Sequence, residues 1–306
     1  MKIRILGSAA GGGFPQWNCN CRNCSGLRAG TLRASGRTQS SIAVCGADRR
    51  SWVLVNASPD ILTQLRANPV LQPARAPRDT AIAGIILVDG QIDHTTGLYM
   101  LRESSRPLPV WCTDETYADL TRGNPIFEVL GHYCGIDRRT MTPDGREFSV
   151  AGVADLSWRA LAVPSKPAPY SPHRAAPVAG DNVALVIADT ATQCTAVYAP
   201  GLGAMADAVW RAMQAATCVL VDGTFWSDAE MIALGFSRKR AREIGHLPQS
   251  GDGGMLGWLK QLPPATRRIL IHVNNTNPIL DEDSRERAEL TRCGVEVAWD
   301  GLEIEL

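Results

Sequence analysis

The chain has 306 residues, 45% of them apolar, enough for one large α/β domain with a sizeable buried core. Lys+Arg and Asp+Glu are 31 each, so the net charge is zero and no basic excess marks a nucleic-acid surface. No apolar run approaches the roughly 20 residues of a membrane span, and nine Cys stand against only five His.

In chain order, MKIRILGSAAGGG reads as a first strand rather than a leader. Further strands are expected at Ser41–Val44, Trp52–Asn56, Ile82–Val88, Ala184–Ala188, Thr195–Ala199, Cys218–Val221, Ile269–Val273 and Val295–Trp299. Helices are expected at Pro59–Arg66, Thr95–Arg102, Thr116–Leu120, Ala204–Ala215, Asp228–Leu234, Gly254–Gln261 and Ser284–Cys293, with Ser227 and Glu230 at capping-box spacing. This interleaving predicts a layered α/β fold in a single domain, 1–306, and hairpin-like pairs at 41–56 and 184–199 make the sheets mixed. The Pro-rich stretch 164–178 is excluded from helix and central strand and reads as a surface loop or lid. The glycines at Gly7 and Gly11 to Gly13 have neither dinucleotide nor P-loop spacing.

Three features carry chemistry. Cys19, Cys21 and Cys24 form Cys-x-Cys-x-x-Cys, a spacing that lets three sulfurs meet one tetrahedral zinc. An odd number of cysteines without an export signal fits a reduced, cytoplasmic chain in which clustered thiols bind metal. By chemistry alone the fourth ligand is open among Cys45 and the histidines, with His246 one option. Asp93 and His94 follow the strand ending at Val88, where α/β folds place ligands, although a helix cap would use the same residue types. His272 ends another strand and precedes an Asn-rich loop containing Asn275; buried packing is its alternative role. Asn56 and Asp222 also end strands and are candidates to line the same cleft.

The runs ILGSAAGGGFPQWNCNCRNC, RTQSSIAV, NASPDI, DGQIDHTTGL, NPIF, VDGTFWSDAEM and HVNNTNPILDEDS together resemble the coenzyme pyrroloquinoline quinone (PQQ) biosynthesis protein B family, PqqB, from Lys2 to about Ile304. The resemblance implies the αββα metallo-β-lactamase-like sandwich of two mixed β-sheets flanked by helices. The hydrolases of that superfamily carry His-x-His-x-Asp-His; here Asp89 and Gln91 stand where the first two histidines would be. Val163–Ser165 and Tyr198–Gly201 match later ligand loops and supply no ligand, while His272 matches the last histidine. By the same resemblance, His246 completes a structural zinc with the three cysteines. Too few histidines then remain for a dinuclear hydrolase. Asp93, His94 and His272 have the composition of a non-haem Fe(II) triad, with Fe2+ replaceable by another divalent ion.

The implied activity is in PQQ biosynthesis: an Fe(II)- and O2-dependent hydroxylation of the tyrosine ring in a Glu-Tyr-derived precursor. Asn56, Lys166 (or Arg174), His173, Asp222 and Asn275 would bind the substrate. The alternative is a non-catalytic carrier of PQQ or its precursor towards the periplasm. Implied partners are that precursor or PQQ, other PQQ-biosynthesis proteins, and a second copy in a homodimer.

Overall fold

A computed structural model describes residues 1–306. The short Val- and Ile-rich runs become strands because each can bury side chains on both faces of a sheet. In chain order the strands are β1 (Lys2–Gly7), β2 (Ser41–Cys45), β3 (Trp52–Val55), β4 (Ile82–Ile86), β5 (Leu108–Cys112), β6 (Ile136–Thr140) and β7 (Asp144–Ser149). They continue as β8 (Leu156–Ala162), β9 (Val183–Asp189), β10 (Thr195–Ala199), β11 (Cys218–Asp222), β12 (Arg267–Ile271), β13 (Val295–Val297) and β14 (Glu303–Glu305).

One sheet runs β14-β1-β2-β3-β4-β5-β6 and the other β13-β12-β11-β10-β9-β8-β7. In each, three antiparallel pairings lie at one end and three parallel ones at the other, so both sheets are mixed. Side-chain alternation assigns the layers. Cys218 and Leu220 of β11 join Ile3, Val44 and Trp158 between the sheets. Val219 and Val221 face outward, onto Val209, Met213 and Leu259 of covering helices. Ile61, Leu120 and Phe127 cover the outer face of the first sheet. The result is helix, sheet, sheet, helix.

Boundaries differ from the sequence expectation where side-chain pattern is weak. β6 and β7 are polar and carry no apolar run, β14 is three residues long, and the apolar run of β5 is interrupted by Pro109, which disfavours a strand reading. The expected cap at Ser227 does not form: the helix is only Glu230–Ala233, and the Glu230 carboxylate instead accepts from the Trp226 amide at 2.7 Å. The cysteine segment is not all loop, since Arg22–Ala29 is helical and holds Cys24.

The carboxyl ends of β3, β4, β11 and β12 converge at one edge of the two sheets. There the loop after β1 bridges them: Ala10 N donates to Val273 O and Val273 N to Ser8 O, at 3.0 and 2.9 Å. That bridge seats Gly11 over Asp93, where a Cβ would lie 3.4 Å from the carboxylate.

Candidate metal centres

Asp93 and His94 lie on a one-turn helix, Ile92–Thr95, just after β4. His94 Nδ1 is 2.9 Å from both carboxylate oxygens of buried Asp89, which fixes the ring and turns Nε2 inward. That Nε2 is buried with no hydrogen-bond partner. It lies 3.8 Å from Asp93 Oδ2, which is also 3.2 Å from His272 Nε2. His272 leaves β12 with φ 62°, a left-handed backbone rarely adopted outside glycine, and is held there by its surroundings. Its Nδ1 is 2.9 Å from Thr224 Oγ1, and Thr224 donates to Asp222 Oδ1 at 2.6 Å. Thr224 thus fixes the His272 ring with Nε2 turned to Asp93.

Burial disfavours a charged His94, but the Asp89 and Asp93 carboxylates outweigh it and raise its pKa to about 9. Burial also opposes ionisation of Asp93, yet His94 and His272 hold it below the usual carboxylate range. An orphaned buried nitrogen, a second imidazole and a shared carboxylate oxygen thus converge, and a divalent cation fits this donor set.

His246 belongs to this centre and not to the cysteines. Its Nδ1 donates to Asp222 Oδ2 at 2.7 Å, its ring stacks on His272 at 5.5 Å, and Phe225 closes the other side. Burial opposes protonation of His246, but Asp222 prevails and raises its pKa. The zinc-ligand expectation for His246 is therefore corrected: the Asp222 carboxylate holds it at the other cluster.

The cysteine sulfurs Cys19, Cys21 and Cys24 do converge, with ligand atoms within 4.8 Å of one another. The fourth corner is taken by the Asn275 carboxamide, whose Nδ2 is 3.0, 3.8 and 3.3 Å from the three sulfurs in that order. Sulfur–sulfur edges in a zinc tetrahedron with Zn–S near 2.3 Å are about 3.7 Å, within the 4.8 Å that bounds the three sulfurs here. Burial pushes the Cys21 thiol up to about 11, with Cys24 adding to it, which a bound cation would reverse.

The structure also reassigns most of the expected substrate contacts. Asn275 faces sulfur. Asp222 is fully buried and spends its oxygens on Leu202 N, Thr224 and His246. Asn56 is fully buried at the end of β3, with φ 65° and its Oδ1 accepting from Val88 N. His173 Nδ1 is 3.0 Å from Asp181, and Arg174 donates to the Pro167 carbonyl, so both hold their own loop. Lys166 is exposed beside the centre, where Gln91 Nε2 donates to its carbonyl at 3.4 Å. Asp89 and Thr224, which orient the two histidines, were missed as partners. Asp89 is five residues from His94, a separation readable in the sequence, whereas Thr224 is 48 residues from His272.

Residues 51–273 match the beta-lactamase superfamily domain. The chain is 62% identical over 306 residues to a coenzyme PQQ synthesis protein B of Azoarcus sp. (strain BH72), covering all of both chains. It is 58% identical over 304 residues to the protein of that description from Cupriavidus necator, covering 99% of each. Among solved structures, Zn(2+)-bound PqqB from Methylobacterium extorquens superposes with TM-score 0.91 at 36% identity, over the full length of both chains. No helix is long and apolar enough to cross a membrane.

Proposed function

The chain belongs to the coenzyme PQQ synthesis protein B family, and from that premise we propose that it acts in PQQ biosynthesis as an Fe(II)- and O2-dependent hydroxylase of the tyrosine ring in a Glu-Tyr-derived precursor. The observation that carries this reading is the convergence of His94 Nε2, His272 Nε2 and Asp93 Oδ2, two imidazoles and one carboxylate, while the adjoining Asp222–His246–His272 group shares His272 and uses an Asp222 oxygen to hold the His246 ring. Asp89 and Gln91 occupy the motif positions such a pair would need. Asp89 holds His94, and Gln91 reaches Lys166.

Asp93, His94 and His272 would hold the ion, and bound Fe(II) would supply O2 activation, which redox-inert Zn2+ does not. The protein's own groups do the rest. Asp89 and the Thr224–Asp222 pair fix the rings of His94 and His272. His246, pinned by Asp222, would hold or release a proton for the substrate. One oxygen atom of O2 enters the ring C–H bond and the other leaves as water, with two electrons from an external reductant of the ascorbate or dithiol class. Cys19, Cys21 and Cys24, completed by Asn275 through its carboxamide oxygen after an amide flip, would hold a structural Zn2+. Nine free cysteines support a reducing, cytoplasmic setting. PQQ-biosynthesis proteins and a second copy are the partners this reading expects.

The test is metal-free protein reloaded with Fe(II) or Zn2+, supplied with the crosslinked Glu-Tyr intermediate, reductant and 18O2. The expected result is an 18O-labelled hydroxylated product with Fe(II) only. Absence of labelled product with Fe(II), together with tight PQQ binding, would replace the enzyme with a carrier.

A further inference from the structure

A second cleft opens beside the histidine centre, about 650 Å3 in volume, between the Pro-rich loop, the loop at 203–206 and the short helix Ala241–Ile244 with the Gly245 that ends it. Its walls are apolar, with Pro164, Val178 and Ala204, and its charges are Lys166 and Arg242; no Asp or Glu lines it. Both cations are exposed and neither belongs to any ion pair in the structure. Arg242 Nη2 rests on the carbonyls of Asp252 and Gly253 at 3.1 and 3.3 Å, which orients the guanidinium without neutralising it. Two unneutralised cations over an apolar wall form a site for an anion with an apolar frame.

The cleft is joined to the metal centre through the backbone. Gly245 in its wall directly precedes His246, and Ser165 Oγ donates to the Gly245 carbonyl at 2.8 Å. Gly245 has φ 114°, and a Cβ there would meet Ser165 Oγ at 2.9 Å, so the two loops close only around glycine. On the other side Gln91, two residues before Asp93, holds the Lys166 carbonyl. A molecule with its reacting ring at the histidines would extend into this cleft.

We infer that this cleft is the carboxylate-binding subsite of the protein, in which Lys166 and Arg242 pair the carboxylates of a polycarboxylate whose apolar frame lies on Pro164 and Val178. This rests on the chain's place in PQQ biosynthesis, where substrate and product carry several carboxylates, and not on the oxygenase chemistry.

The test uses PQQ, a tricarboxylate, as probe in equilibrium dialysis against the metal-loaded full chain. Lys166→Gln should weaken binding about tenfold, and Ala204→Asp, which adds a carboxylate without removing any contact, by at least as much. Arg242→Lys, keeping the charge, should bind within about threefold of the unmodified protein. His272→Ala, removing a centre ligand, should still show the tenfold contrast when combined with Lys166→Gln. No PQQ binding by the unmodified protein, or a change below about threefold in either Lys166→Gln or Ala204→Asp, overturns the subsite. Loss of hydroxylation with the contrast intact instead overturns the oxygenase reading alone.

Discussion

His272 and Asn275 stand three residues apart after β12, yet one side chain turns toward Asp93 and His94 and the other toward three sulfurs. The two clusters differ in the properties that select and use a metal. On the histidine side each imidazole is braced by a partner: His94 by Asp89, and His272 by Thr224 and through it Asp222. On the cysteine side the sulfurs meet only backbone amides, the Asn275 backbone carbonyl and the Asn275 carboxamide. Hard and borderline donors with a braced geometry make a site that can keep open positions; soft thiolates with four corners filled make a closed one. A cysteine cluster of this kind would depend on a bound ion for its shape, whereas the histidine cluster keeps its shape from hydrogen bonds.

Substitutions can break that division. The largest effect belongs to His272→Ala, which should cut hydroxylation by about 10^3-fold or more while circular dichroism stays native, because the lost group is a ligand and not a core side chain. Metal analysis should find one ion fewer and the cysteine-bound zinc still present. Cys21→Ser should do the converse, losing zinc and about 3 kcal/mol or more of stability in urea unfolding, since structural metal binding is coupled to folding. Unchanged zinc content in that variant would refute the cysteine site. Asn275→Ala, removing the fourth corner, should weaken zinc about 100-fold by chelator competition and leave Fe(II) affinity alone. Asp89→Asn should weaken the ion at the histidine centre by about 10- to 100-fold and leave zinc alone. If Asn275→Ala disturbed the iron or Asp89→Asn the zinc, the two clusters would be one coupled unit.

Both clusters were legible in the sequence as groups, but their boundaries were not. Cys-x-Cys-x-x-Cys and Asp93-His94 are local spacings, and His272 sits at the end of a strand with a clear apolar run, so each could be placed from pattern alone. The assignment of His246 required knowing that Asp222, 24 residues earlier, would reach its Nδ1, and no local pattern encodes that pair. Asn275 failed for a similar reason: an Asn-rich loop signals turns and hydrogen bonds, not which of three asparagines faces sulfur. The central strands announced themselves through Val and Ile, whereas β6 and β7, with sequences IDRRT and DGREFS, are paired and exposed and carry no burial signal. Strand-end polar residues such as Asn56 and Asp222 were read as cleft lining, but β3 and β11 end under cover, where polar groups serve the fold.

The smallest effect separates the scaffolds beneath the clusters. Asp119 is fully buried below the histidine loop, pressed so close to Gly90 that a Cβ there would lie 2.6 Å from its Oδ2, and neither carboxylate oxygen has a partner. Burial, with Asp181 and Asp89 adding to it, raises its pKa from 3.8 to about 6. Between those values the folded protein holds a proton that the unfolded chain releases, so stability falls as pH rises from about 4 to 6 and stays lower above. Asp119→Asn removes the charge and keeps the shape. It should therefore gain about 1–3 kcal/mol over the unmodified protein at pH 8, with the gain shrinking toward zero near pH 4. Urea unfolding at the two pH values measures this, and an equal gain at both would mean that charge is not the cause. Because Asp119 lies under the loop that carries Asp93 and His94, Asp119→Asn should leave zinc retention at the cysteines unchanged.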